Sequence, residues 1–124
     1  MTAAHTTVVI EDDLDIRLLV TTVLEGAGYT VHAAATGLDG IELVRRHDPV
    51  VTTLDVSMPG IDGFETARRI RAFSDTRIIM VSARADESEQ RAGREAGADD
   101  YLTKPFRPRE LRQRVTDLAR AASG

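Results

Sequence analysis

Short apolar runs along this chain alternate with stretches whose apolar residues recur every three or four positions. Val8, Val9 and Ile10 form a β-rich run that stops at Glu11-Asp12-Asp13. Ile16, Leu19, Val20, Val23 and Leu24 then follow helical spacing, with Gly26 and Gly28 marking the stop. Residues 29–34 read as a second strand. Thr36 is placed to cap a second helix whose apolar face is Leu38, Ile41 and Val44 and which ends before Pro49. Residues 50–54 form a third strand terminating at Asp55. A turn-rich stretch follows, with Ser57, Met58, Pro59, Gly60, Asp62 and Gly63. Phe64, Ala67, Ile70 and Arg71 begin a third helix, and residues 78–81 are the purest apolar run, a fourth strand. Residues 86–96 predict a polar, weakly amphipathic helix closed by Gly97. Tyr101 and Leu102 lie in a fifth strand before Lys104-Pro105. Pro108 opens the last helix, where its missing N–H costs nothing, and Leu111, Val115, Leu118 and Ala122 make its buried face. Residues 121–124 read as a frayed tail, leaving an ordered core of about 6–121.

The pattern is βα repeated five times. Strands separated by helices run parallel, with right-handed crossovers and helices on both faces. The expected fold is therefore α/β, a doubly wound (βα)5 three-layer sandwich around a five-stranded parallel sheet. At 124 residues and 13.5 kDa the chain is one domain. Its 42% hydrophobic and 29% charged residues are ordinary for a globular protein and argue against disorder. It has no cysteine, so disulfides, thiolate metal sites and cysteine nucleophiles are excluded. Its apolar runs are too short to span a membrane, and residues 1–7 lack the basic flank and apolar core of a signal peptide. A soluble, cytoplasmic protein is expected.

The net charge of −4 argues against direct nucleic-acid binding, which needs a basic surface. Fifteen of the sixteen basic residues are arginine, and Lys104 is the one lysine. A compact ammonium in a chain that otherwise uses guanidinium asks for a reason.

Sites on open parallel sheets form outside the carboxyl ends of the strands. Here those ends carry Glu11-Asp12-Asp13, Asp55, Ser82 and Lys104. Several carboxylates at one edge repel one another unless some take up protons or share a cation. An all-oxygen donor set without imidazole or thiolate suits Mg²⁺ and argues against zinc. A cation, an ammonium and a hydroxyl around one carboxylate are also the parts that stabilise phosphoryl transfer, with that carboxylate as nucleophile.

Glu11-Asp12, Asp55 followed by Met58-Pro59-Gly60-Ile61-Asp62-Gly63, Ser82-Ala83 and Lys104-Pro105-Phe106 occur in that order over nearly the whole chain. This order resembles the receiver domain of bacterial two-component response regulators, a flavodoxin-like, CheY-like fold. The resemblance implies that Asp55 accepts a phosphoryl group from a sensor histidine kinase, a phosphotransfer protein or a small phosphodonor. It implies Mg²⁺, or Mn²⁺ in its place, held by Asp12, by Glu11 directly or through water, by Asp55 and by the backbone carbonyl of Ser57. Lys104 would contact the phosphoryl group, Ser82 would shift to bond it, and Tyr101 would turn inward behind Ser82. A cis peptide before Pro105 is also implied. Such a domain catalyses its own phosphorylation and slow dephosphorylation rather than acting as an enzyme on outside substrates. It passes the signal through its fourth helix, fifth strand and fifth helix to an effector. Asp100 and Arg114 match members of the ion pairs through which such faces form homodimers, although Ala92 stands where a basic residue of the fourth helix is expected.

Plainer readings sit beside these. Asp13 and Asp62 read as caps of the first and third helices. Tyr101 can be simple packing, and His5, His32 and His47 carry no assigned role. Arg45-Arg46 and Arg68-Arg69-Arg71 read as solvated helix faces. Arg84 flanks the site and is expected to draw anionic donors or screen the acyl phosphate from water. Two other functions remain open. A Mg²⁺-dependent phosphohydrolase on the same chemistry would place an acid two residues after the nucleophile, where this chain has Ser57. A non-phosphorylated interaction module, a pseudo-receiver, would usually lack Asp55, the acidic pair or the lysine. A flavin site lacks its phosphate loop after the first strand, and no P-loop occurs. The sequence names neither the cognate kinase nor the output.

Overall fold

The computed structural model describes residues 2–84 and 86–123. Five strands and five helices alternate: β1 (Ala3–Ile10), α1 (Leu14–Gly26), β2 (Thr30–Ala34), α2 (Gly37–His47), β3 (Pro49–Asp55), α3 (Gly63–Arg71), β4 (Arg77–Ser82), α4 (Glu87–Ala96), β5 (Asp100–Thr103) and α5 (Pro108–Ser123). The strands form one parallel sheet in the order β2-β1-β3-β4-β5. This is the flavodoxin-like arrangement. The order reverses between β1 and β3, which opens a crevice outside their carboxyl ends.

The period-2 alternation of the strands sorts the core into two layers. Val8 and Ile10 face α2 and α3 with Ile41, Val44, Leu54, Ala67, Ile70, Ile78 and Met80. Val9 faces the other way, with Val20 and Leu24 of α1 and Leu111, Val115 and Ala119 of α5. All seven residues of β3 are buried, so the central strand is fixed from both sides. Deleting one of its large side chains, as in Leu54→Ala, would cost about 2–5 kcal/mol.

Several helix positions differ from expectation. Leu19 and Leu38, placed by their spacing on buried faces, are 42% and 59% exposed. In α2 the inward positions are Gly37, Gly40, Ile41 and Val44. Gly40 lies against Ile10, where a Cβ would meet its side chain at 2.3 Å. The helix sits so close to the sheet that glycines face inward and Leu38 turns out. In α5 the buried small residue is Ala119, and Ala122 is exposed. The helix continues to Ser123 where a frayed tail was expected from Ala121. Met1 and Gly124 lie outside the described residues. β1 is longer than its apolar run because the polar residues Thr6 and Thr7 pair with Thr30 and Val31.

The expected caps are present. Asp13, Thr36 and Asp62 accept from the amides of Ile16, Asp39 and Glu65 at 3.0, 3.1 and 2.9 Å. α4 ends at Gly97, whose φ of 112° is a left-handed conformation that suits glycine.

Candidate functional site

The site begins with where three strands stop. Asp55 closes β3, and Glu11 and Asp12 follow β1 directly. β1 and β3 are neighbours in register, Ile10 beside Leu54, so the acidic residues emerge side by side. Carboxylate oxygens of Glu11, Asp12 and Asp55 all lie within 4.8 Å of one another. Glu11 and Asp55 are 4% exposed, while Asp12 is open to solvent. The third strand end brings the lysine. Lys104, just after β5, places Nζ 3.1 Å from Glu11 Oε1 and 3.2 Å from Asp55 Oδ1. The Lys104–Pro105 peptide is cis, as expected.

Local backbone contacts hold these groups. The other oxygen of Glu11, Oε2, accepts from the Asp13 amide at 3.2 Å. Arg17, one turn into α1, donates to the Glu11 carbonyl at 2.9 Å. Beside Asp55, the Gly63 amide donates to the Val56 carbonyl at 2.8 Å. A Cβ at Gly63 would lie 2.4 Å from the Asp55 carbonyl oxygen. Only glycine permits this close approach of α3 to the end of β3.

The electrostatics follow from the crowding. Burial, then the Glu11 charge, then hydrogen bonding with Asp12 and Glu11 push the Asp55 carboxyl up to about 7, against the opposing pull of Lys104. Burial disfavours the Lys104 charge, but Glu11 and Asp55 outweigh it and hold its pKa above the ordinary value. One ammonium thus balances only part of three carboxylates. Oxygen donors of this kind, partly solvated through Asp12, fit a hard divalent cation with retained waters.

The remaining predicted residues lie near this edge in different settings. Ser57 is exposed in the β3–α3 loop. Ser82 ends β4 and is buried; its hydroxyl donates to Glu89 Oε1 and accepts from the Arg84 amide, both at 3.0 Å. The Tyr101 ring packs against Gly93 of α4, and its hydroxyl is buried without a hydrogen-bond partner among the described residues. Burial, followed by the nearby Glu89 carboxylate, raises the Tyr101 pKa. Arg84 is exposed and tied to Asp86 at 2.7 Å. With Ser57, Met58, Asp62 and Glu89 it lines a cavity of about 680 Å³ between the β3–α3 loop and α4.

Three features escaped the sequence. Glu89 is buried at 9% exposure, although a glutamate in a polar helix reads as solvated. Arg71 is not a solvated residue. Its guanidinium donates to the carbonyls of Ser74, Thr76 and Gly97 and to Asp99 Oδ2. Arg68 and Arg69 do face solvent, paired with Glu65. His32 and His47 stack with ring centroids 3.5 Å apart. Asp100 and Arg114 pair with each other within the chain at 2.9 Å.

A doubly wound parallel sheet with an acidic cluster and a lysine at its carboxyl edge defines the class. The chain belongs to the response regulator receiver domain family, whose pattern matches residues 7–116. It is 44% identical over 111 residues to the transcriptional regulatory protein AfsQ1 of Streptomyces coelicolor, covering 90% of this chain and 49% of that protein. The chain spans about half the length of the curated relatives it matches. Among solved structures it is similar to the Vibrio cholerae chemotaxis protein CheY4, with a TM-score of 0.89 and 28% identity over 94% of this chain and 99% of that one. It is also similar to the receiver domain of the sensor histidine kinase PA1611 from Pseudomonas aeruginosa, with a TM-score of 0.84 and 26% identity over 94% of this chain and 98% of that one. That domain was solved with a magnesium ion coordinated in its active site cleft. No described helix is long and apolar enough to cross a membrane.

Proposed function

We propose that Asp55 is a phosphoacceptor. The observation that carries this reading is a buried carboxylate at a strand end, 3.2 Å from the only lysine and within 4.8 Å of two further acids. An Asp55 oxygen attacks the phosphorus of a phosphohistidine on a histidine kinase or phosphotransfer protein, or of a small acyl phosphate. The new O–P bond forms as the bond to the leaving nitrogen or oxygen breaks, and the electron pair departs with the leaving group. The Lys104 ammonium neutralises charge on the phosphoryl oxygens, and the Ser82 hydroxyl donates to one of them.

Glu11, Asp12 and Asp55, with the Ser57 carbonyl, would hold Mg²⁺ or Mn²⁺. That cation, when bound, supplies charge neutralisation for the incoming phosphoryl oxygens and for the crowded carboxylates. Glu11 divides its two oxygens between Lys104 and the Asp13 amide, which fixes its orientation. Phosphorylation places new negative charge at one point, and Ser82, Lys104 and backbone amides are the donors that respond. Withdrawal of Ser82 toward the phosphoryl group then alters the packing of Tyr101 and the α4–β5–α5 face, which reports to an effector. Homodimerisation on that face would require the internal Asp100–Arg114 pair to exchange partners.

Intact mass after incubation with Mg²⁺ and acetyl phosphate tests the reading. One phosphoryl adduct, absent in Asp55→Asn, supports it. No adduct fits a pseudo-receiver, and sustained phosphate release from many esters fits a hydrolase.

A further inference from the structure

The Ser82 hydroxyl carries one hydrogen, and that hydrogen is already committed: it points to Glu89 Oε1 at 3.0 Å, while the Arg84 amide occupies a lone pair on the same oxygen at 3.0 Å. Glu89 lies on α4, one helical turn before Gly93, so both face the Tyr101 ring. The carboxylate is buried, and its second oxygen has no hydrogen-bond partner among the described residues, with the Arg84 guanidinium Nε no nearer than 4.0 Å. A hydrogen bond to a buried, under-satisfied carboxylate is of the strong, charge-assisted kind.

We infer that Glu89 is a positioning residue that restrains Ser82 in the unphosphorylated state, so that a phosphoryl group on Asp55 binds only at the expense of the Ser82–Glu89 hydrogen bond. This rests on the reading of Asp55 as phosphoacceptor. The hydroxyl cannot serve both acceptors, since one hydrogen makes one strong bond. When Ser82 leaves, Glu89 loses its donor in a buried place. The Tyr101 hydroxyl, also buried and without a partner among the described residues, is a donor whose ring packs against the same face of α4, and it can replace Ser82. Glu89 thereby connects the movement of Ser82 to the placement of Tyr101, and the restraint sets how readily the domain activates.

The test titrates beryllium trifluoride with Mg²⁺, a phosphoryl mimic that needs no turnover, into the intact chain and follows backbone amide signals around Asp55. Five proteins are compared: the parent, Glu89→Ala, Glu89→Gln, Ser82→Ala and the Ser82→Ala/Glu89→Ala double variant. Circular dichroism confirms folding, and the near-isosteric glutamine variant stands in if alanine disturbs α4. Release of a charge-assisted bond should tighten the mimic about tenfold in Glu89→Ala. Glu89→Gln, which keeps a neutral acceptor, should fall between parent and Glu89→Ala. In the Ser82→Ala background the Glu89 substitution should change affinity by less than about twofold.

Equal tightening with and without the Ser82 hydroxyl would mean that Glu89 acts only as a nearby negative charge, and the inference would fail. It would also fail if Glu89→Ala bound the mimic no better than the parent. If no protein of the set bound the mimic, the phosphoacceptor reading itself would fall, which is a different result from either of these.

Discussion

Lys104 and Asp55 stand 49 positions apart in the chain, yet the ammonium of one lies 3.2 Å from the carboxylate of the other. The sheet order accounts for this. β5 pairs with β4 and β4 with β3, so the residue leaving β5 and the last residue of β3 open onto the same crevice. Glu11 completes the triangle at 3.1 Å from the same nitrogen. Without this ammonium the two buried carboxylates would face each other with no neutralising group but a bound cation.

Lys104→Ala should therefore slow phosphorylation by acetyl phosphate about a hundredfold, in the range found for losing one positioned electrostatic contact. Lys104→Arg should not restore the rate, because a planar fork cannot take the place of a compact ammonium between two carboxylates. Single-turnover kinetics followed by intact mass will measure both. Full activity in Lys104→Ala would show that the ammonium plays no part.

The raised Asp55 carboxyl makes stability depend on pH in the absence of divalent cations. Its pKa goes from an ordinary 3.8 to about 7, chiefly by burial and the Glu11 charge. Between those values the folded chain keeps a proton that the unfolded chain has lost. Stability from this group is present at acid pH, declines as pH rises from about 4 to about 7, and levels off above. Asp55→Asn removes the dependence and should be more stable than the parent by ~1–2 kcal/mol at pH 8, with no advantage near pH 4. Urea melts in EDTA across that range will show it. Added Mg²⁺ should raise parent stability at pH 8 more than that of Asp55→Asn.

Gly63 tests how tightly α3 is held against the strand that ends in Asp55. A methyl group at this position would meet the Asp55 carbonyl oxygen at 2.4 Å and the Val56 Cα at 2.8 Å, both rigid backbone atoms. Gly63→Ala should lose ~1–3 kcal/mol in denaturant melts, the usual cost of overpacking. It should also slow phosphorylation, because the strain falls on the residue that carries the carboxylate. A neutral result in both measurements would contradict the close approach.

At the opposite edge of the sheet, Asp99 serves three donors: the Ile78 amide at 2.8 Å, Arg71 at 3.1 Å and Arg77 at 3.5 Å. Arg71 in turn binds three carbonyls, two in the α3–β4 loop and one just after α4. Asp99→Ala leaves these donors short of an acceptor and should destabilise by ~2–3 kcal/mol. Phosphorylation at temperatures where the variant is folded should be unchanged, which thermal melts and acetyl phosphate labelling together will check.

The alternation of apolar runs and helical spacing carried most of the fold, because ten short elements each showed their own period. It misplaced Leu38 because spacing alone does not reveal how closely a helix approaches its sheet; that approach is set by Gly37 and Gly40, which carry no hydrophobic signal. The acidic residues and Lys104 were legible because each directly follows or ends a strand. Glu89 was not. A charged residue in a polar helix looks solvated, and α4 buries it with Gly93 and Ala96 rather than with large apolar side chains. Arg71 was hidden in the same way, since its partners are backbone carbonyls that no side-chain pattern records.

The most direct measurement of the central claim is chemical. The chain is incubated with acetyl phosphate and Mg²⁺, the acyl phosphate is reduced with borohydride, and peptides are sequenced by mass. A phosphorylated Asp55 becomes homoserine at position 55 alone, and the product is missing when Mg²⁺ is withheld. Homoserine at Asp12, Asp13 or another aspartate, or no reduced residue at all, would contradict the account.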